Sequence, residues 1–140
     1  KVMSNDTNLD TIIETSTKNY QKQIICQKAI NHETGDKRII LLNGKELGAV
    51  NRVNPNGHRN NFMSGGHAEK ASISSHDKKI IKAIAPMLIE NGLNLVGIDV
   101  IDNHLIEINV TSPTGIQEIN QLNKLTLEKI IINNIEVNNE

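Results

Sequence analysis

Leu95-Val96-Gly97-Ile98-Asp99-Val100-Ile101 and, after Asp102-Asn103-His104, Leu105-Ile106-Glu107-Ile108-Asn109-Val110 decide how this chain is read. Leu93 to Ile101 and Leu105 to Val110 are short apolar runs rich in β-branched residues, the pattern of two strands. Glu107 and Asn109 are two apart and share one face, while Ile106, Ile108 and Val110 take the other. On the preceding strand Ile98 and Val100 leave Asp99 as the polar exception. Burying an ionised carboxylate there is costly unless it is paired, hydrogen-bonded or on a metal. Setting Asp99 opposite Glu107 asks for an odd-length turn, Asp102-Asn103-His104, with Asn103 or His104 left-handed. A two-residue turn of Asp102-Asn103 would throw the two carboxylates to opposite faces. In the first arrangement two carboxylates and an amide oxygen converge as hard ligands, which suits Mg²⁺ shared with substrate phosphates better than zinc or haem iron. An antiparallel sheet with one solvent-facing side would show the same alternation with no metal at all.

Upstream, Ser75 is the expected cap of a helix through Ile80, Ile81, Ile84, Met87 and Leu88, ending near Asn91-Gly92, with Pro86 as an expected kink. Arg38 to Leu42 and Glu46 to Val50 flank Asn43-Gly44, a strong hairpin signal because both residues tolerate positive φ. Gln23 to Ile30 reads as a short strand, and Asp6 or Asn8 as the cap of a helix through Leu9, Ile12 and Ile13. From Asn51 to Gly66 the composition turns to Asn, Gly, Pro and Ser without a period, a loop long enough to ask for a purpose. Downstream, Gly115 to Asn120 is a short helical turn, Thr126 starts a helix through Leu127, Ile130 and Ile131, and frayed chain is expected from Asn133. The fold class is α+β, mainly antiparallel sheet packed against helices.

The 140 residues bound the chain to one ordinary domain or a piece of a larger protein. Fifteen basic against sixteen acidic residues and 1% aromatics give no general case for nucleic acid, which would need a basic surface or stacking platforms. No stretch approaches the roughly 20 apolar residues of a membrane span, and Lys1 to Asp6 lacks the apolar run of a signal peptide, so neither is expected in this stretch of chain. Cys26 alone makes neither a disulfide nor a zinc site, so a reducing, cytoplasmic setting is expected. Opening on Lys1, with a first Met at position 3, leaves open that sequence upstream has been cut away.

Arg38, Arg52 and Arg59 are the guanidinium groups available to fork onto phosphate or carboxylate. Gly65-Gly66 beside Ser64 offer backbone amides to phosphate without forming a Walker sequence. The five histidines show no ligand spacing, the serines no nucleophile elbow, and Cys26 reads as an inert buried thiol. Covalent catalysis by a side chain is not indicated.

Leu95 to Val100 followed by Leu105 to Ile116, with its run Glu107-Ile108-Asn109-Val110-Thr111-Ser112-Pro113-Thr114-Gly115, resembles the prokaryotic glutathione synthetases, which are ATP-grasp ligases. Gly35-Asp36-Lys37-Arg38, the hairpin ending in Arg52, the loop with Arg59 and Asn61, and Ser64-Gly65-Gly66 extend the likeness from about Gln23 to the end. The resemblance implies the C-terminal portion of an ATP-grasp domain, with Asp99, Glu107 and Asn109 coordinating Mg²⁺ or Mn²⁺ between nucleotide phosphates. It places Arg38, Arg52 and Arg59 at phosphoryl transfer, and Asn109, Ser112, Pro113 and Thr114 around the γ-glutamylcysteine carboxylates. Ile25, Cys26, Gln27 and Ile30 would pass under the adenine, Asn61, Gly65 and Gly66 would serve the nucleotide, and Asn54 to Gly66 would close as a lid. The implied reaction joins γ-glutamylcysteine to glycine through an acyl phosphate at the expense of ATP. Family members are longer, with their further residues upstream, so weak or no activity is expected of the chain alone. Members self-associate, so a homo-oligomer or union with a separate N-terminal half is also implied. Another ATP-grasp amino-acid ligase, or a noncatalytic remnant that binds nucleotide or a partner, are the competing readings.

Overall fold

The computed structural model describes residues 2–3, 5–31, 33–54, 60 and 65–137. The chain divides into two compact units, Lys1–Ile30 and Asn31–Glu140. The first holds α1 (Leu9–Ser16), whose end is closed by Thr17: its hydroxyl donates to the Ile13 carbonyl at 2.7 Å and accepts from Tyr20 N–H at 2.9 Å. Asp6 supports the start of α1 by accepting from Asn8 N–H, and Asn8 itself makes no side-chain cap. Gln23 to Ile30 is not a strand, contrary to expectation. A strand needs a neighbour for its amides and carbonyls, and no described segment pairs with this one, which leaves Ile25 88% exposed and Cys26 exposed rather than buried.

The second unit is a five-stranded sheet in the order β3-β2-β1-β4-β5, with β1 (Asp36–Leu42), β2 (Lys45–Val53), β3 (His67–Lys70), β4 (Leu95–Ile101) and β5 (His104–Asn109). Every neighbouring pair is antiparallel. Asn43 and Gly44, both with positive φ, make the two-residue β1–β2 turn that their sequence announces. Strand β3, in the Gly-rich stretch, carries little apolar signal and pairs only at the edge, against Val50 to Val53.

Helix α2 (Ser75–Glu90) lies on one face of the sheet, with α3 (Ile116–Asn123) and α4 (Leu127–Val137) on the other. Ile39, Leu41, Ala49, Val96, Ile98 and Val100 pack against Ile81 and Leu88 of α2. On the opposite face Ile40 and Val50 pack against Ile119 and Leu127. Each fully buried aliphatic contributes on the order of 1.5–3 kcal/mol, so both layers are held mainly by Ile, Leu and Val.

The cap of α2 is Ser74, one residue before the expected Ser75, because Ser74 and Asp77 form a reciprocal capping box. Pro86 is accommodated within a continuous helix: it and Lys82, whose carbonyl it leaves unpaired, lie on the exposed side, where water can take the freed acceptor. Helix α4 continues through Val137 rather than fraying at Asn133, since Leu127 packs with Ile40 and Val50 of the sheet, Ile131 is also buried, and Asn120 caps the start by accepting from Leu127 N–H at 2.9 Å.

Candidate active site

Alternation along β1 splits three consecutive charged residues between the two faces. Asp36 and Arg38 point to the α3 side with Ile40, and Lys37 points to the α2 side. Arg52 stands opposite Asp36, and Asp99 opposite Arg38. The face bearing Ile40 and Val50 is therefore apolar at one end and charged at the other.

Asp99 stands opposite Glu107, and Gly97 opposite Asn109, so the two carboxylates and the amide share this face. The turn that achieves this is not the odd-length one expected. Asp102 and Asn103, with φ of 45° and 62°, make a two-residue turn, and Val100 pairs with Leu105. A bulge then restores the alignment: Ile106 is the extra residue, and beyond it Asp99 meets Glu107. The carboxylates sit together because a turn and a bulge each shift the register, and the shifts cancel.

Arg38 is the centre of the cluster, only 6% exposed. Its Nε and Nη2 fork onto Asp99 Oδ1 and Oδ2 at 2.6 and 2.8 Å. Its Nη1 donates to the carbonyl and the hydroxyl of Thr114 at 3.3 and 3.2 Å. The Asn109 amide satisfies its neighbours in one orientation, donating to Glu107 Oε1 at 3.3 Å and accepting from Arg38 Nη2 at 3.2 Å. Arg52 Nη2 bridges Asp36 Oδ2 and Asp99 Oδ2, at 2.5 and 3.0 Å.

Burial pushes the Asp36 carboxyl up, against the opposing pull of Arg52. Burial also works against the Arg52 charge, but the Asp36 hydrogen bond and the Asp99 carboxylate outweigh it and hold the guanidinium protonated above its usual value. Among the described residues, buried Asp36 Oδ1 and Arg52 Nε have no partner. Asp36 is the residue that sequence reasoning passed over. Its signal was present: two positions before Arg38 in a strand means the same face.

Asp99 uses three of the roughly four acceptor directions of a carboxylate, which leaves one on Oδ1. Glu107 is exposed. Among the described residues no three His, Cys, Asp or Glu gather into a closed metal site, so the oxygen set is two carboxylates and one amide. Pro113 is buried beneath the cluster, Ser112 is exposed with φ of 45°, and Thr114 touches Arg38. Arg59 and Asn61, with most of the expected lid, lie outside the described residues. Gly65 and Gly66 directly precede β3. Ile25, Cys26, Gln27 and Ile30 belong to the first unit. A separate cavity of about 360 Å³ opens on the α2 side, lined by Lys37, Asn51, Lys70 and Asp77 among others, and holds none of the expected site residues.

Residues 1–124 match the family described as prokaryotic glutathione synthetase, ATP-grasp domain. The chain belongs to this family. Every glutathione synthetase position named above falls inside the matched range, and α4 lies beyond it. The chain is 47% identical over 125 residues to a glutathione synthetase of Synechococcus elongatus, covering 87% of this chain and 38% of the relative. It is 41% identical over 139 residues to that of Nostoc sp., covering 98% and 43%. The chain thus spans about two fifths of the length of the glutathione synthetases it matches. The fold is also similar to a crystal structure of D-alanine–D-alanine ligase from Bacillus anthracis complexed with ATP, with a TM-score of 0.52 at 15% identity over 94% of this chain and 46% of that one. Among the described residues no helix is long and apolar enough to cross a membrane.

Proposed function

We propose that this chain carries the metal- and phosphate-handling part of a ligase that joins γ-glutamylcysteine to glycine using ATP. The observation that carries the reading is the register that pairs Asp99 with Glu107 and Gly97 with Asn109, beside two buried arginines that converge on Asp99. Two carboxylates and an amide oxygen fit Mg²⁺ or Mn²⁺, for which the Asn109 amide would turn its oxygen from Arg38 toward Glu107, with nucleotide phosphates completing the ligand shell. When bound, the metal would neutralise charge on the phosphate oxygens.

Phosphoryl transfer asks the protein mainly for positioning and charge stabilisation. Arg38 is held from three sides, so its guanidinium is oriented before any phosphate arrives. Arg52 is held by Asp36 and Asp99 at the same end of the face, which fixes a second positive charge beside Arg38. Ser112, Pro113 and Thr114 lie at the same end of the face and are the proposed contacts for the γ-glutamylcysteine carboxylates. Residues 54–66, with Arg59, are the proposed lid, and shielding the acyl phosphate from water is its role. Ile25, Cys26, Gln27 and Ile30 are proposed to meet the adenine, with Asn61, Gly65 and Gly66 at the nucleotide.

The test is calorimetry with Mg²⁺ and a nonhydrolysable ATP analogue, on the chain alone and mixed with the complementary N-terminal part of the Synechococcus relative. Binding that Asp99→Asn and Glu107→Gln both weaken, together with ligation restored in the mixture, is the expected result. Metal and nucleotide binding indifferent to both substitutions would end the reading.

A further inference from the structure

Arg38 reaches its partners past two glycines. Gly97 lies two residues before Asp99 in β4, on the same face, opposite Ile40 and Asn109. A Cβ at position 97 would stand 2.8 Å from the Cβ of Pro113 and 3.3 Å from Cδ of Arg38. Carbon atoms pack best at about 3.5–4.0 Å, so no side chain fits at 97 while both neighbours stay in place. Pro113 is buried and fixed in φ, which gives it little room to retreat. Gly115, at φ 114°, closes the other side: a Cβ there would lie 3.4 Å from Arg38 Cγ. Thr114, between Pro113 and Gly115, is the residue that accepts from Arg38 Nη1.

We propose that Gly97 is a positioning residue for Arg38: its missing side chain seats Pro113 and the Arg38 stem together, and so fixes the guanidinium on Asp99, Asn109 and Thr114. This rests on the reading that Arg38 faces the transferred phosphoryl group, yet the seat is testable without nucleotide. Overfilling it displaces a charged fork that must be aimed before the substrate binds, and misplacements of about 1 Å can cost two orders of magnitude in rate.

The chain has three arginines, so its guanidinium Nε–H groups give three signals in a nitrogen–proton spectrum. Hydrogen exchange at Arg38 Nε–H reads the fork on Asp99 directly. In the full chain, Gly97→Ala is expected to speed that exchange about tenfold or more while leaving Arg52 Nε–H nearly unchanged. Adding Pro113→Gly to Gly97→Ala exchanges one Cβ for the other and is expected to return Arg38 toward its original rate. Pro113→Gly alone empties the seat and also speeds Arg38; it carries the test if Gly97→Ala does not fold. Unchanged Arg38 exchange in either folded single variant, equal acceleration at Arg38 and Arg52, or no recovery in the double variant would overturn the proposal. Loss of the phosphate reading shows separately, as absent nucleotide binding by a chain whose Arg38 exchange still follows the seat.

Discussion

Lys37 and Arg38 are neighbours in β1, point to opposite faces of one sheet, and each ends on a buried aspartate. On the α2 side Lys37 Nζ meets Asp77 Oδ2 at 2.7 Å, and Asp77 also accepts from Ser74 N–H at 2.7 Å and donates its own N–H to Ser74 Oγ at 3.1 Å. That pair is complete: it anchors the first turn of a helix to a strand. Burial alone would raise the Asp77 carboxyl, and the Lys37 ammonium with the Ser74 hydrogen bonds holds it below the usual range. On the other side Arg38, Asp99, Arg52 and Asp36 form a chain of charges that ends on buried atoms without partners among the described residues, with Asp36 pushed up. Burial of charge is common to both faces. What separates them is whether folding alone satisfies the buried groups: the α2 side is satisfied, and the other side keeps two buried atoms without partners among the described residues.

The sharpest way to break this contrast is to remove the two aspartates in turn. Asp99→Ala removes the carboxylate that buried Arg38 forks onto and one of the two that Arg52 bridges, and is expected to cost about 3–5 kcal/mol of unfolding free energy, measured by urea titration. Asp77→Ala loses a cap and a partly exposed partner, with an expected cost of about 1–3 kcal/mol and no change in nucleotide binding. Equal costs would mean that the two pairs do the same job.

Acid titration sharpens the contrast because the two faces carry opposite signs. The folded Asp77 pKa lies below its unfolded value, so its contribution is full above about pH 4 and is lost as pH falls through the lowered folded value. The folded Asp36 pKa is raised, so ionising it costs stability, a cost absent below the unfolded value and complete once pH has risen through the folded one. Asp77→Asn is expected to flatten the acid limb of the urea midpoint against pH, and Asp36→Asn the decline above about pH 4. Parallel curves for the two variants would contradict the assignment. The smallest stability effect belongs to Glu107→Gln, within about 0.5 kcal/mol because the side chain is exposed. The same variant is expected to weaken Mn²⁺ binding in the presence of the ATP analogue, read by the paramagnetic signal of the free ion.

How much of this was legible beforehand varies with the range of the interaction involved. The Asn43-Gly44 hairpin, the α2 helix and the paired strands around Asp99 and Glu107 follow from local patterns, and all of them are present. The Gln23 to Ile30 strand is absent because an apolar run makes a strand only where another strand meets it. Edge strand β3 was missed for the converse reason: its backbone pairs with β2 although His67-Ala68-Glu69-Lys70 has no strand-like pattern. Local signals cannot report either outcome.

The site divides along the same line. By itself the sequence determined the chemistry on offer, hard oxygens at Asp99, Glu107 and Asn109 and guanidinium groups at Arg38 and Arg52, since side-chain type and strand periodicity are properties of nearby residues. Only the tertiary structure decided that a bulge at Ile106 offsets the two-residue turn, that Asp36 holds Arg52, and that Gly97 makes room for Arg38 and Pro113. Those outcomes are set by register and by contact between segments far apart in the chain, where hydrogen-bond alignment and packing act on residues that no local pattern brings together.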